Sequence, residues 1–253
     1  MEKLRLLDLF SGIGGMSLGL ERSGGFETVA FCEIERKRWP TLKKHWPGVP
    51  IYDDAQTLTK TQLKADGITV DAICGGFPCQ DLSVAGKQGG IDAERSGLWS
   101  EFARLIGELR PQFVLVENVA NLLSGPSEKR GGWFGRVLGD LAEVGYDAEW
   151  HCIPASYVGS PQSRDRAWIV AHPIGQRGRS GRFIGQHAAH AYTCGEDGGP
   201  RSDGGWQTTE PGVGRMVDGF PGRLDRLCAL GNAVVPQIPE LIGHAWIEAH
   251  YVS

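Results

Sequence analysis

Residues 4–15 read LRLLDLFSGIGG, and this stretch decides the fold. Its first part, residues 4–10, is a short apolar run that stops at Ser11-Gly12-Ile13-Gly14-Gly15. A helical pattern follows, carried by Met16, Leu18 and Leu20. The order is therefore strand, glycine turn, helix. Glycines after a strand permit a tight turn and a close backbone approach to a ligand. Alone the motif is shared by many nucleotide-binding enzymes, and an unliganded turn would look the same.

Working outward, the alternation continues. Residues 26–32 form a second strand that ends at Glu33, and residues 36–46 read as helical. Residues 49–52 lead through a short third strand to Asp53-Asp54. A fourth strand, 70–74, runs into GGFPCQ; an amphipathic helix covers 98–109. A fifth strand spans 113–117, and helix returns over 134–144. Such alternation predicts an α/β fold with a mainly parallel sheet and helices on both faces. Ligands bind outside the carboxyl ends of such strands. The polar residues of interest fall at those ends: Asp8, Glu33, Asp54, Pro78-Cys79 and Glu117-Asn118. From residue 147 the pattern changes. Segments 148–153 and 167–171 read as β and bracket SPQSRDR, whereas 172–222 lose periodicity. A helical pattern recovers over 224–251, after LGNAVVPQIP. This divides the chain into a main domain (1–171), a small irregular second lobe (172–222) and a returning segment (223–253).

Composition bounds the reading. The 253 residues suffice for one large α/β domain with a small appendage. Net charge is −4, so any nucleic-acid contact requires a locally cationic face. Cys32, Cys74, Cys79, Cys152, Cys194 and Cys228 include no Cys-x-x-Cys pair. Reduced thiols in a cytoplasmic protein are expected, with no zinc or other metal site. The N-terminus has no apolar signal core, and no stretch is long and apolar enough for a membrane span.

Three motifs carry chemistry. A cysteine after a strand, inside the glycine-rich GGFPCQDLSVAGKQGG, suits a nucleophile on a mobile loop. Burial is the commoner fate of a cysteine, but Pro78, Gln80 and the glycines are poor core material. In VLVENVANLL a strand delivers Glu117 and Asn118; this strand is close in sequence to the one before Cys79, so the two can be neighbours. A thiol and a carboxylate in one cleft can attack an electrophilic carbon while protonating the adjacent ring nitrogen. An N-cap role is the alternative for Glu117. In PQSRDRAWIV, Arg164 and Arg166 alternate and share one face, which suits phosphate or base-carbonyl contacts as well as a salt bridge.

Together these segments resemble, in order, the motifs of the DNA cytosine-C5 methyltransferase family: DLFSGIGG, GFPCQ, ENV, QSRDR and GNAVVP. The resemblance covers residues 4–171 and 224–253. It implies a Rossmann-like S-adenosylmethionine-dependent methyltransferase fold acting on double-stranded DNA. It implies that the Cys79 thiolate attacks C6 of a flipped-out cytosine, that Glu117 holds N3 and the exocyclic amine, and that Arg164 or Arg166 contacts the cytosine carbonyl. For S-adenosylmethionine it implies a pocket of Asp8, Phe10, Gly12, Ile13, Gly14, Gly15, Glu33, Ile34, Asp54, Pro78, Leu98, Asn232 and Ala233. Gln80, Ser83 and Gly86, with Arg177, Arg179 and Arg182, would contact DNA.

Two departures stand out: Leu82, where many members have phenylalanine, and the short 172–222 region where the family carries its target-recognition region. The latter predicts a short recognition site or relaxed specificity, and the compact chain suits a phage- or prophage-borne enzyme. A companion restriction endonuclease and a monomeric state are further expectations. A tRNA-modifying branch shares the chemistry but typically carries Cys-Phe-Thr in its second lobe, which is absent here. A catalytically silent nucleic-acid-binding homologue would have no need of Cys79, Glu117, Arg164 and Arg166.

Overall fold

The structure, a computed structural model, describes residues 2–77, 97–123, 132–160, 164–176 and 233–251. Seven strands form one sheet: β1 (Leu4–Leu9), β2 (Phe26–Cys32), β3 (Ile51–Tyr52), β4 (Ala72–Gly76), β5 (Phe113–Val119), β6 (Tyr146–Pro154) and β7 (Asp165–Pro173). The helices are α1 (Gly15–Arg22), α2 (Trp39–His45), α3 (Lys60–Ala65), α4 (Leu98–Leu109), α5 (Gly132–Glu143) and α6 (Gln237–Tyr251). The strand order is β3-β2-β1-β4-β5-β7-β6. β1 to β5 run parallel, while β7 lies antiparallel between β5 and β6. The order reverses beside β1, so β1 and β4 flank the crevice where doubly wound sheets bind ligands.

The central strands read as continuous apolar runs because both their faces are covered. Side chains alternate between two cores. Leu6, Ala72, Cys74, Phe113 and Leu115 pack with Leu20 of α1 and Ile238, Ile242 and Trp246 of α6. Leu7, Leu9, Ile73, Val114 and Val116 pack with Leu63 of α3, Trp99, Phe102, Leu105 and Ile106 of α4, and Val137 and Leu141 of α5. The α4 set recurs at helical spacing, which turns one stripe of that helix to the sheet.

Helix α3 is an element that the sequence pattern does not announce. That helix has six residues and one buried side chain, Leu63, so it carries almost no periodicity. Its start does carry a signal: the Thr59 hydroxyl accepts from the Gln62 amide. The small second lobe expected over 172–222 lies outside the described residues beyond Gln176, as do Pro78, Cys79, Gln80, Leu82, Ser83, Gly86, Arg177, Arg179, Arg182 and Asn232. No helix among the described residues is long and apolar enough to cross a membrane.

Helices α1 and α6 touch at Gly19. A Cβ there would stand 2.2 Å from the Pro236 carbonyl oxygen and 2.6 Å from Pro239 Cγ. Alanine is the better helix former by about 1 kcal/mol, but overpacking of this kind costs about 1–3 kcal/mol. Gly19→Ala is therefore expected to destabilise the fold. Gly139→Ala in α5, where a Cβ meets nothing within 4 Å, is expected to stabilise it. Urea denaturation of the two variants measures both signs; equal shifts would contradict the close approach.

Candidate active site

A cavity of about 410 Å³ opens along the carboxyl edge of β1, β2, β4 and β5. Its walls include Phe10, Gly12, Ile13 and Gly15 from the glycine turn, and Glu33 and Ile34 beyond β2. Gly76, Phe77 and Glu117 close it on the other side, with Arg164, Arg166 and Ala233. Residues expected in two separate roles, cofactor binding and base chemistry, thus line one continuous space.

The glycine turn is shaped by left-handed backbone. Phe10, Gly12 and Gly14 have φ of 54°, 59° and 83°. A bulky residue in that region is strained, and Phe10 is held there while stacking on Phe102 at 6.3 Å between ring centroids. Gly14 does not line the cavity; a Cβ there would press into the Trp46 ring at 2.5 Å. Its lack of a side chain serves the turn and the close approach of Trp46.

Glu33 is 2% exposed and gripped by backbone. The Gly12 N–H donates to its Oε2 at 2.6 Å and the Glu35 N–H to its Oε1 at 2.8 Å. Arg38 Nη1 stands 3.4 Å from Oε2. Arg38, not among the residues expected from the sequence, also lines the cavity. Its only signal was a basic run, Arg36-Lys37-Arg38, just past a strand-end acid. Ile34 projects its apolar side chain into solvent at 69% exposure. Asp54 and Leu98 lie away from the cavity lining. The Asp54 carboxylate instead accepts from the Gln56 amide at 2.9 Å and caps the turn that follows.

Glu117 and Asn118 end β5 as expected, and both are buried. Because β7 is antiparallel to β5, its beginning lies at the same edge. Arg166 pairs opposite Val119, so it is a diagonal neighbour of Glu117 on one face. Arg166 Nε stands 2.7 Å from Glu117 Oε1. Burial pushes the Glu117 carboxyl up, against the opposing pull of the Arg166 and Arg164 guanidinia. Arg164 donates to the Ala233 carbonyl at 2.9 Å. Asn118 Nδ2 donates to the Phe77 carbonyl at 3.2 Å and so anchors the last described residue before Pro78.

Among the described residues no group of three or more His, Cys, Asp or Glu could hold a metal ion. The arrangement offers a carboxyl able to carry a proton, beside fixed guanidinium charge, in a cleft shared with a backbone-lined turn.

A family model described as C-5 cytosine-specific DNA methylase matches residues 4–185. The Type II methyltransferase M2.BsuMI of Bacillus subtilis is 37% identical over 172 residues, covering 66% of this chain and 42% of that protein. The Type II methyltransferase M.AquIA of a Picosynechococcus species is 31% identical over 189 residues, covering 70% of this chain and 74% of that one. A crystal structure of an E. coli prophage-encoded protein, described as a DNA modification methyltransferase, superposes with TM-score 0.56 at 30% identity, covering 68% and 47% of the two chains. Spodoptera frugiperda DNMT2, at 24% identity and TM-score 0.57 over 71% and 53% of the two chains, shares the fold. The chain spans about two fifths of the length of the Bacillus relative.

The cavity also holds Asp8, 1% exposed, whose carboxylate accepts from the Ser17 hydroxyl at 2.8 Å. Burial pushes this carboxyl up to about 7, with the Ser17 and Cys74 side chains opposing the shift. The folded state therefore holds the proton more tightly than the unfolded chain. The stability this confers is full below about pH 4 and is lost as pH rises through about 7. Asp8→Asn removes that dependence. The stability of the native protein relative to Asp8→Asn is expected to fall between about pH 4 and 7 and then level off, read from urea midpoints. A difference that stays constant with pH would refute the buried, titrating carboxyl.

Proposed function

Because the chain belongs to the C-5 cytosine-specific DNA methylase family, we propose that it methylates C5 of cytosine in double-stranded DNA, with S-adenosylmethionine as methyl donor. One observation supports this reading above the others. The buried Glu117, with Arg166 beside it, and the glycine turn open into the same cavity.

The residues present fit the cofactor. Glu33 is fixed by two backbone N–H groups and its oxygens retain lone pairs for ribose hydroxyls. The exposed Ile34 offers an apolar surface to an adenine ring. Gly12, Ile13 and Gly15 bring bare backbone to the cavity wall, where a methionine moiety can lie. When bound, S-adenosylmethionine supplies an electrophilic methyl group.

The chain's own residues account for the rest. Cys79, two positions beyond Phe77, adds as thiolate to C6 of a cytosine turned out of the stack. Glu117, with its raised pKa, holds a proton at N3 and stabilises the adduct as negative charge moves into the ring. Arg166 faces the same space and suits the cytosine carbonyl. After methylation, loss of the C5 proton and elimination of the Cys79 thiolate release the base. Base flipping, Gln80, Ser83 and Gly86 on the Cys79 loop, and the arginines at 177, 179 and 182 as DNA contacts belong to this proposal.

The test incubates the protein with labelled S-adenosylmethionine and duplex DNA, tRNA or neither, then maps the product base. Label is expected at cytosine C5 in DNA. Cys79→Ala should reduce it to background, and Glu117→Gln should lower kcat about 10²–10⁴-fold. Duplex DNA containing 5-fluorocytosine should trap a covalent protein adduct, because the C5 fluorine cannot leave as a proton. Transfer to tRNA alone, or full activity in Cys79→Ala, would overturn the proposal.

A further inference from the structure

Arg166 lies in β7 and Arg164 directly precedes it, and the two make different contacts. Arg166 is turned to Glu117, at 2.7 Å. Arg164 instead donates from Nη1 to the carbonyl of Ala233, 69 positions along the chain, at 2.9 Å. Ala233 begins the described segment that leads into α6. The next residue, Val234, lies against the glycine turn. A Cβ at Gly15 would stand 3.0 Å from Val234 Cγ2 and 3.1 Å from its carbonyl oxygen. The contacts thus run from the start of β7, through Arg164 and Ala233–Val234, to Gly15. All of these residues line the one cavity.

We propose that Arg164 is a positioning residue that staples the Ala233–Pro236 segment over the cofactor end of the cavity, while Arg166 alone of the pair serves the base end. This rests on the cofactor and base assignments under Proposed function. A charged donor makes a stronger hydrogen bond to a carbonyl than a neutral one, and the guanidinium is always protonated in proteins. Arg164 is half-buried beside the like-charged Arg166, and both burial and that neighbour disfavour its charge. The nearby Glu117 carboxyl favours the charge, and the Ala233 carbonyl dipole adds to that compensation. The segment itself is stitched to α6 by the Ile238 amide on the Val235 carbonyl and the Glu240 amide on the Pro236 carbonyl. A staple at Ala233 therefore restrains the start of the helix as well.

Hydrogen exchange of the ligand-free protein tests the staple without any cofactor. In Arg164→Met the Ile238 and Glu240 amides are expected to exchange about tenfold faster, as expected when a charge-assisted hydrogen bond is lost from a local opening unit. Amides of the β5–β7 ladder should stay protected, which shows that the variant is folded. Arg166→Met should leave Ile238 and Glu240 unchanged. Equilibrium binding of S-adenosylmethionine then tests the consequence. Arg164→Met should weaken it about tenfold, Arg164→Lys should recover part because its ammonium still donates to a carbonyl, and Arg166→Met should stay within about twofold while losing methyl transfer. Unchanged exchange at Ile238 and Glu240 in Arg164→Met would overturn the staple, whether or not the native protein binds cofactor. Faster exchange with undiminished cofactor affinity would overturn its role in the pocket.

Discussion

The antiparallel pairing of β7 with β5 is the constraint on which the site depends. Every other neighbour of the central strands runs parallel. Had β7 done the same, its first residues would lie at the opposite edge, and Arg164 and Arg166 would be a strand length from Glu117. The pairing also has to hold its register. Trp168 packs in one core and Ile169 in the other, so a slip of one residue would put each in the wrong core and turn Arg166 to the other face. The buried rungs of the ladder therefore specify the position of a charge that sits at its end.

That edge carries three buried carboxyl groups, and each has a different environment. Glu33 is held by backbone amides, Asp8 by a serine hydroxyl, and Glu117 by a guanidinium contact. Burial raises both Asp8 and Glu117, and only at Glu117 do arginines pull back. Pairs of carboxyl groups with divergent environments are how one fold separates binding from proton chemistry. Here a single continuous cavity spans all three.

Much of this was legible in the sequence. Apolar runs buried on both faces, each closing on a glycine or an acid, mark the strands and the edge at which polar residues collect. The motifs placed Asp8, Phe10, Glu33, Glu117 and both arginines on elements whose ends converge. Position at a strand end does not, however, say where a side chain leans. Asp54 stands at its expected edge, yet turns to its own backbone because a neighbouring amide is within reach. Gly14 belongs to the motif, yet answers to Trp46. Arg38 lies past β2 in a basic stretch that a solvated surface would equally carry, and only the fold swings it over Glu33. Helix α3 is too short for periodicity to register. Contacts between distant segments, such as Arg164 with Ala233, leave no local pattern at all.

The near-contact of α1 and α6 has a consequence in time. Gly15 and Gly19 sit early in the chain, and the atoms that cover them, at Val234, Pro236 and Pro239, are translated last among the described elements. A growing chain can pair β1, β2 and β4 soon after they emerge, since domains generally begin to fold during synthesis. Its glycine turn nonetheless stays uncovered on one side until α6 arrives. On the ribosome the glycine turn is thus made well before the residues that cover it, and nascent chains carry the turn without that wall.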